Sequence, residues 1–120
     1  MKVAVTSQGR ELTSAVDPRF GRARYFIVVD TETGAFEAAD NTQNLNAAQG
    51  AGIQAGQKVI DLGATVLLTG HVGPKAFATL RAGDVAVYTG ITGTVADAIE
   101  RFNAGDLEES ADADVESHWV

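Results

Sequence analysis

Two hydrophobic patterns divide the chain into an early hairpin and a later strand–helix repeat. Four short apolar runs rich in β-branched residues predict strands, and Ala35–Asp40, which lacks such residues, predicts a weaker one. The second and third runs are separated only by the turn Thr31–Gly34, so we expect them to form a hairpin. From about residue 47 onwards, apolar residues recur at helical spacing between the runs. The predicted strands are Lys2–Thr6, Tyr25–Asp30, Ala35–Asp40, Thr65–Thr69 and Val85–Tyr88.

Capping residues support the three helices that this spacing predicts. Gly63 is expected to be the left-handed residue that ends the first helix. Pro74 suits a first helical turn because its missing N–H would have no partner there. Thr94 and Asp97 form a capping-box-like pair at the start of the third helix. The predicted helices run from about Ala47 to Leu62, from Pro74 to Gly83 and from Thr94 to Gly105.

The resulting element order, β-β-β-α-β-α-β-α, predicts an α/β domain. The alternating half implies parallel strands joined by right-handed crossovers, and the hairpin adds antiparallel strands, so the five-stranded sheet should be mixed. We expect residues 1–106 to form this domain and residues 107–120 to form an acidic tail without periodicity. The pattern leaves Arg10–Arg19 open between a loop and a short helix.

Composition sets limits on the chemistry. The 120 residues, 45% of them hydrophobic, suit one domain with a normal core. Because there is no cysteine, disulfides, thiolate metal sites and cysteine nucleophiles are excluded. No apolar run is long enough to span a bilayer, and Met1–Ser7 lacks a signal-peptide pattern, so we expect a cytoplasmic protein.

The net charge of −7 is concentrated at the end of the chain, where residues 101–120 hold six acids and one base. An acidic tail on a nearly neutral body argues against nucleic-acid phosphates as a partner. The locally basic stretch, which contains Arg19, Arg22 and Arg24, is short and lacks interleaved aromatic residues.

Three loops should meet at the carboxyl edge of the sheet, where ligands bind in open α/β folds. They are Thr6–Gly9, Thr69–Gly73 and Thr89–Gly93, and the last two lead into helix N-termini that favour anions. The alternative is that their glycines and threonines only make tight turns and caps. The candidate residues for an anionic ligand are Arg19, Thr69, Gly70, His71, Val72, Gly73, Gly90, Ile91, Thr92 and Gly93.

His71 is the candidate metal ligand, because an imidazole in a strand-to-helix loop can bind a metal. The alternative is an exposed loop histidine without a function. Catalysis has little support in the sequence. There is no phosphate-binding Gly-Lys-Ser/Thr and no nucleophile-elbow serine. A metal-dependent nuclease would need clustered carboxylates on the central strands, and these strands have none.

Several segments, in order along nearly the whole chain, carry a recognisable pattern. They are Asp17–Ala23 with Tyr25-Phe26, Gly50–Ala55, Leu68–Phe77, Val87-Tyr88 with Gly93–Ile99, and Glu116–Trp119. This pattern resembles the dinitrogenase iron–molybdenum cofactor biosynthesis family. The resemblance implies a ribonuclease H-like three-layer fold and a non-enzymatic carrier of a preformed metal–sulfur cofactor.

The missing cysteine excludes a thiolate anchor, so a bound cluster must keep its own sulfide ligands. Within the family this favours the stand-alone orange-protein type, with a molybdenum–copper sulfide cluster, over a carrier of an iron–molybdenum cofactor precursor. His71 is then expected to assist. A second hypothesis is a regulatory interaction domain that contacts a partner protein, such as an ATPase, a division-related complex or a cofactor acceptor, through its open edge and acidic tail.

Overall fold

A computed structural model describes residues 1–41 and 50–113 of the chain. Its centre is a five-stranded sheet, and three helices follow the hairpin strands in the predicted order. The strands are β1 (Lys2–Ser7), β2 (Tyr25–Asp30), β3 (Phe36–Asp40), β4 (Val66–Leu68) and β5 (Ala86–Tyr88). The helices are α1 (Ala51–Asp61), α2 (Pro74–Ala82) and α3 (Val95–Asn103).

The sheet is mixed, with the strand order β3-β2-β1-β4-β5. β1 pairs antiparallel with β2 and parallel with β4, and β5 continues the parallel half. The mixed sheet is therefore confirmed. Because β1, β4 and β5 run in the same direction, their carboxyl ends meet at one edge of the sheet.

The core has two parts, one on each face of the sheet. On one face, α1 and α2 bury residues such as Val59 and Leu80 against Phe26. On the other face, α3 buries Val95 against Val3. The molecule is thus a helix–sheet–helix sandwich, which confirms the three-layer, ribonuclease H-like α/β fold. No helix in the two described ranges is long and apolar enough to cross a membrane.

The helix boundaries agree with the sequence except in detail. The predicted start of the first helix, residues 47–49, lies outside the described residues, and Gly63 has the expected left-handed φ of 83°. Gly83 has an ordinary φ of −92°, and the neighbouring Asp84 is left-handed instead. A Cβ on Gly83 would lie 2.4 Å from the Cδ1 of Ile60, so a larger residue here would have to displace that side chain of α1.

The undecided segment, residues 10–19, is a loop and contains no helix. It is held by short bridges that pair Ser7 with Val16 and Ala15 with Thr94. The loop therefore crosses from the end of β1 to the start of α3.

The described part of the acidic tail, residues 107–113, packs along β5. The Ser110 N–H donates to the Val87 carbonyl at 2.7 Å, and Glu109 pairs with Arg81 at 3.5 Å. Leu107 packs on the α3 side and Ala113 on the opposite side. This stretch therefore crosses the outer edge of the sheet, whereas His118 and Trp119 lie outside the described residues.

Gly70 provides a test of how closely the β1–β2 loop packs on β4. A Cβ at this position would lie 2.5 Å from the Pro18 carbonyl oxygen and 2.6 Å from its Cα, so Gly70→Ala must displace backbone. We expect a loss of about 1–3 kcal/mol in the free energy of unfolding, measured by urea titration. Gly34→Ala is the control.

Gly34 has a φ of 79° and open space around it, so alanine there should cost only the backbone strain, about 1–2 kcal/mol. The Gly70 variant should also expose the amides that this packing buries. The His71 N–H donates to the Pro18 carbonyl, so its exchange should be faster in the Gly70→Ala protein. An exchange rate equal to that of wild type would contradict the close approach of the β1–β2 loop to residue 70.

Candidate anion-binding site

The two glycine turns that follow β4 and β5 lie side by side at the carboxyl edge. The Gly90 N–H donates to the Gly70 carbonyl at 2.8 Å, and the Ile91 N–H donates to the Thr69 carbonyl at 3.1 Å. The structure thus brings residues 69–73 and 89–93 together, as the parallel strand order requires. It also shows that the amides of Gly90 and Ile91 already have backbone partners.

The β1–β2 loop crosses over these turns and is tied to them by backbone hydrogen bonds. The His71 N–H donates to the Pro18 carbonyl at 2.7 Å, and the Phe20 N–H donates to the His71 carbonyl at 3.1 Å. This pairing places Arg19 beside His71 as a short parallel bridge. Phe20 is fully buried and packs against Phe26 with ring centroids 5.6 Å apart, which anchors the loop in the core.

A buried chain of hydroxyl groups supports the same loop from below. The Thr6 hydroxyl lies 2.8 Å from the Asp17 carbonyl and 2.9 Å from the Thr69 hydroxyl, and both threonines are inaccessible to solvent. Asp17 also donates its N–H to the Thr6 carbonyl at 2.9 Å. The Thr69 side chain is therefore used inside the protein. Because its hydroxyl is buried against Thr6, the role of Thr69 in a ligand site stays a prediction.

Beside this loop lies a cavity of 510 Å³ whose wall is strongly basic. Residues from the end of β1 and from the loop line it: Gln8, Asp17, Pro18, Arg19, Arg22 and Arg24. Of the site residues predicted from the sequence, only Arg19 lines this cavity. In the described ranges, no ion pair joins the guanidinium group of Arg19 or Arg24 to a carboxylate.

Asp17 is the acidic residue in the cavity wall, and it is 7% exposed. Its Oδ1 accepts a hydrogen bond from the Arg19 N–H at 3.1 Å. Burial raises the pKa of Asp17 above its ordinary value of 3.8, although hydrogen bonds from the Arg19 and Arg24 backbone and the charges of both arginines act to lower it. The carboxylate thus lies close to the arginine backbone in a poorly solvated place.

The N-terminus of α3, which the sequence suggested as part of an anion site, is occupied by groups of the protein itself. The Val95 and Ala96 N–H groups donate to the carbonyls of Ser14 and Leu12 at 2.9 and 2.8 Å. Thr94 and Asp97 form the predicted capping box, which places a carboxylate at the same helix end. An anion would meet occupied amides and a like charge there. Anion binding at this helix end stays a prediction, and the β1–β2 loop that occupies the end disfavours it.

The N-terminus of α2 differs, since it has neither a side-chain cap nor an acid in its first turn. Within the described chain, no carbonyl of another segment accepts a hydrogen bond from the N–H groups of Lys75 and Ala76. Gly73, which precedes this turn, is buried. This helix end faces the same edge as the cavity and follows directly from His71. It therefore keeps the partial positive charge that favours an anion.

The remaining predicted residues differ in accessibility. Val72 is fully buried in the α1–α2 core, and Ile91 is 4% exposed in the α3 core, so neither side chain can reach a ligand. Gly90, Thr92 and Gly93 lie exposed at the rim beyond β5.

His71 is partly buried beside Arg19. No group of three or more metal-ligating side chains exists in the part of the chain that the structure describes. His71 can therefore supply one ligand to a metal centre, but a bound metal would need its other ligands from elsewhere.

Sequence reasoning missed Gln8, Arg22 and Arg24 as parts of the site. The signal was present as a cluster of three arginines within six residues, but a flexible basic loop has the same sequence pattern. Only the backbone ties to Thr6 and His71 show that the loop is fixed around a cavity.

The buried carboxylate makes a prediction for the pH dependence of stability. A raised pKa means that folded wild type binds a proton more tightly than unfolded chain does, so Asp17 lowers stability as the pH rises from 3.8 through its folded pKa. Asp17→Asn cannot titrate. Between about pH 3.5 and 6.5, the unfolding free energy of the variant should therefore shift upward relative to wild type. Urea titrations at both pH values measure this shift. A constant difference, or a fall in the unfolding free energy of the variant relative to wild type as the pH rises, would contradict it.

Comparison with known proteins is consistent with this fold and its loops. Residues 1–105 match the family described as dinitrogenase iron-molybdenum cofactor. The apo form of the orange protein from Desulfovibrio gigas is 44% identical, with a TM-score of 0.93 over 95% of this chain and 96% of that one.

A putative NifB protein from Thermotoga is also 44% identical, with a TM-score of 0.79 over 90% of this chain and 91% of that one. An uncharacterised protein of Methanocaldococcus jannaschii is 26% identical over 111 residues, which are 91% of each chain. Because the family match covers most of the chain and two solved relatives share its fold and much of its sequence, this protein belongs to the dinitrogenase iron–molybdenum cofactor family.

Proposed function

We propose that the protein is a non-enzymatic carrier that binds an anionic molybdenum-containing metal–sulfide cluster without a covalent bond. The cargo is a molybdenum–copper sulfide cluster or a precursor of the iron–molybdenum cofactor. The observation that carries this proposal is the cavity lined by Arg19, Arg22 and Arg24 at the carboxyl edge of the sheet. Membership of the family and similarity to the orange protein support a cofactor-related carrier.

The chemistry of the cavity suits such a cargo. Guanidinium groups are planar, permanently charged and weakly hydrated, so they bind a large anion with little desolvation cost. The volume of 510 Å³ lies in the range of small-molecule sites. Since the chain has no cysteine, the cluster keeps its sulfide ligands and is held by charge and hydrogen bonds. We place His71 and the α2 N-terminus at the margin of this site.

The same residues favour binding over catalysis. The charged groups in the cavity wall are three guanidinium groups and one carboxylate, Asp17, that is 7% exposed. This carboxylate accepts the Arg19 N–H at 3.1 Å, and among the described residues no serine, cysteine or histidine lines the wall beside it. The wall therefore offers electrostatic attraction without a nucleophile and base pair.

A loading experiment with arginine variants tests the proposal. The full chain is incubated with tetrathiomolybdate and copper and desalted, and molybdenum and copper are measured per protein. We expect a coloured, stoichiometric complex. Arg19→Ala, Arg22→Ala and Arg24→Ala should each weaken binding about tenfold or more, because a charge-assisted hydrogen bond is lost. His71→Gln should weaken retention less. Arg101→Ala, on the exposed end of α3, is the matched control.

Two outcomes would contradict the carrier. In the first, the wild-type protein is colourless and all metal elutes with the small molecules. In the second, a complex forms but is retained equally by the three cavity variants and the control. The second outcome would place binding outside the arginine cavity.

A regulatory interaction domain remains the alternative, and the docked part of the acidic tail favours it. Glu108 and Asp112 are exposed on a stretch that Ser110 fixes to β5, so they form an ordered acidic surface. We propose this surface, with the carboxyl edge, as the place where an ATPase or a cofactor acceptor would bind. Capture of such a partner that needs no metal and is lost on deletion of residues 107–120 would favour the alternative.

A further inference from the structure

The segment that carries the three arginines is held at both ends, and Asp17 is involved at each. Its main chain is fixed by Thr6, which accepts its N–H at 2.9 Å and donates to its carbonyl at 2.8 Å. Its carboxylate accepts the Arg19 N–H at 3.1 Å. The Arg24 N–H, at the far end of the segment, also lies close enough to lower the pKa of this carboxylate.

Asn41 holds the far end of the same segment, at Ala23 and Arg24. Its backbone N–H donates to the Arg24 carbonyl at 2.8 Å, and its side-chain amide donates to the Ala23 carbonyl at 2.8 Å. Asn41 thus ties Arg24 to the edge of the sheet, whereas Asp17 faces the cavity. The carboxylate of Asp17 binds the first arginine of the segment, Arg19, and lies in the same cavity wall as the last, Arg24.

We propose that Asp17 is a positioning residue for the anion, whose buried carboxylate ties the backbone of Arg19 and Arg24 together and so holds the arginine side chains around one cavity. This inference rests on the proposed function, because it assigns a role within the same site. Asp17 binds the main chain of Arg19, which leaves the guanidinium group available for a ligand.

The proposal makes a prediction opposite in sign to simple electrostatics. Asp17 is a negative charge in the wall of an anion site, so by Coulomb's law its neutralisation should tighten anion binding. If the main role of the carboxylate is to position the arginines, its neutralisation weakens anion binding instead. Asparagine keeps an oxygen that can accept the Arg19 N–H, whereas alanine keeps none, so the two variants separate the explanations.

The test compares wild type, Asp17→Asn and Asp17→Ala as full chains. Glu37→Gln is the matched control, since it removes one exposed carboxylate from β3 at the other end of the sheet order. Tetrathiomolybdate is titrated against each protein and followed by its visible absorption. Amide exchange of Arg19 and Arg24 is measured by NMR without ligand, and thermal melting confirms that each variant is folded.

We expect the affinity for tetrathiomolybdate to fall about threefold in Asp17→Asn and about tenfold or more in Asp17→Ala, relative to wild type. The affinity of the control variant should be unchanged. Arg24 exchange should accelerate in both variants, and Arg19 exchange mainly in Asp17→Ala. Binding by both variants that is as tight as wild type, or tighter, would overturn the proposal. So would unchanged exchange at both amides.

These outcomes separate the two proposals. If wild type does not bind tetrathiomolybdate, the carrier function fails, and the positioning role fails with it. If wild type binds but the order of the variants is reversed, only the positioning role fails. Should Asp17→Ala not fold, the Asp17→Asn affinity and its Arg24 exchange decide the result.

Discussion

The loop between β1 and β2 must cross the carboxyl edge of the sheet, and its backbone hydrogen bonds determine what that edge can bind. Where it passes β4, it pairs with both the N–H and the carbonyl of His71. Where it passes α3, it supplies carbonyls to the first amides of the helix. The close approach is possible because residue 70 is glycine and Phe20 is fully buried. Most other features of the site follow from this crossing.

One consequence is that an anion at this edge would meet side-chain charge rather than free backbone amides. The amides of His71, Gly90 and Ile91 all donate to carbonyls within the protein, and the α3 terminus is capped. The crossing loop also brings three arginines to the wall of one cavity. Guanidinium groups, rather than free backbone amides, supply the positive charge at this edge, and α2 adds the partial charge of one helix end. Such a site can hold a large anionic cluster without a thiolate.

The sequence predicted the fold well because its signals are local and repeated. The β-branched runs predicted four of the five strands and the short turn at 31–34 predicted the remaining one, whereas Pro74, Thr94 and Gly63 predicted helix ends through the chemistry of each residue. The parallel order then required the turns at 70–73 and 90–93 to be neighbours. Each of these deductions depends on a few residues close in the chain, which is why they agree with the structure.

The site was harder to predict because it depends on contacts between distant residues. The burial of the Thr69 hydroxyl depends on Thr6, and the capping of α3 depends on Leu12 and Ser14. No periodicity encodes either contact. Arg22 and Arg24 were visible as charges, but their place in a cavity wall depends on a loop with no regular structure. Arg19 was found because it follows the Asp-Pro turn and lies near the helix ends.

Locating the molybdenum atom directly is the most decisive measurement for this account. A crystal of the protein loaded with tetrathiomolybdate and copper, measured at the molybdenum absorption edge, gives the metal position by anomalous scattering. The account predicts molybdenum within the cavity beside Arg19, Arg22 and Arg24, with His71 at its margin. Molybdenum bound at the α3 N-terminus, along the acidic tail, or at no ordered position would contradict it.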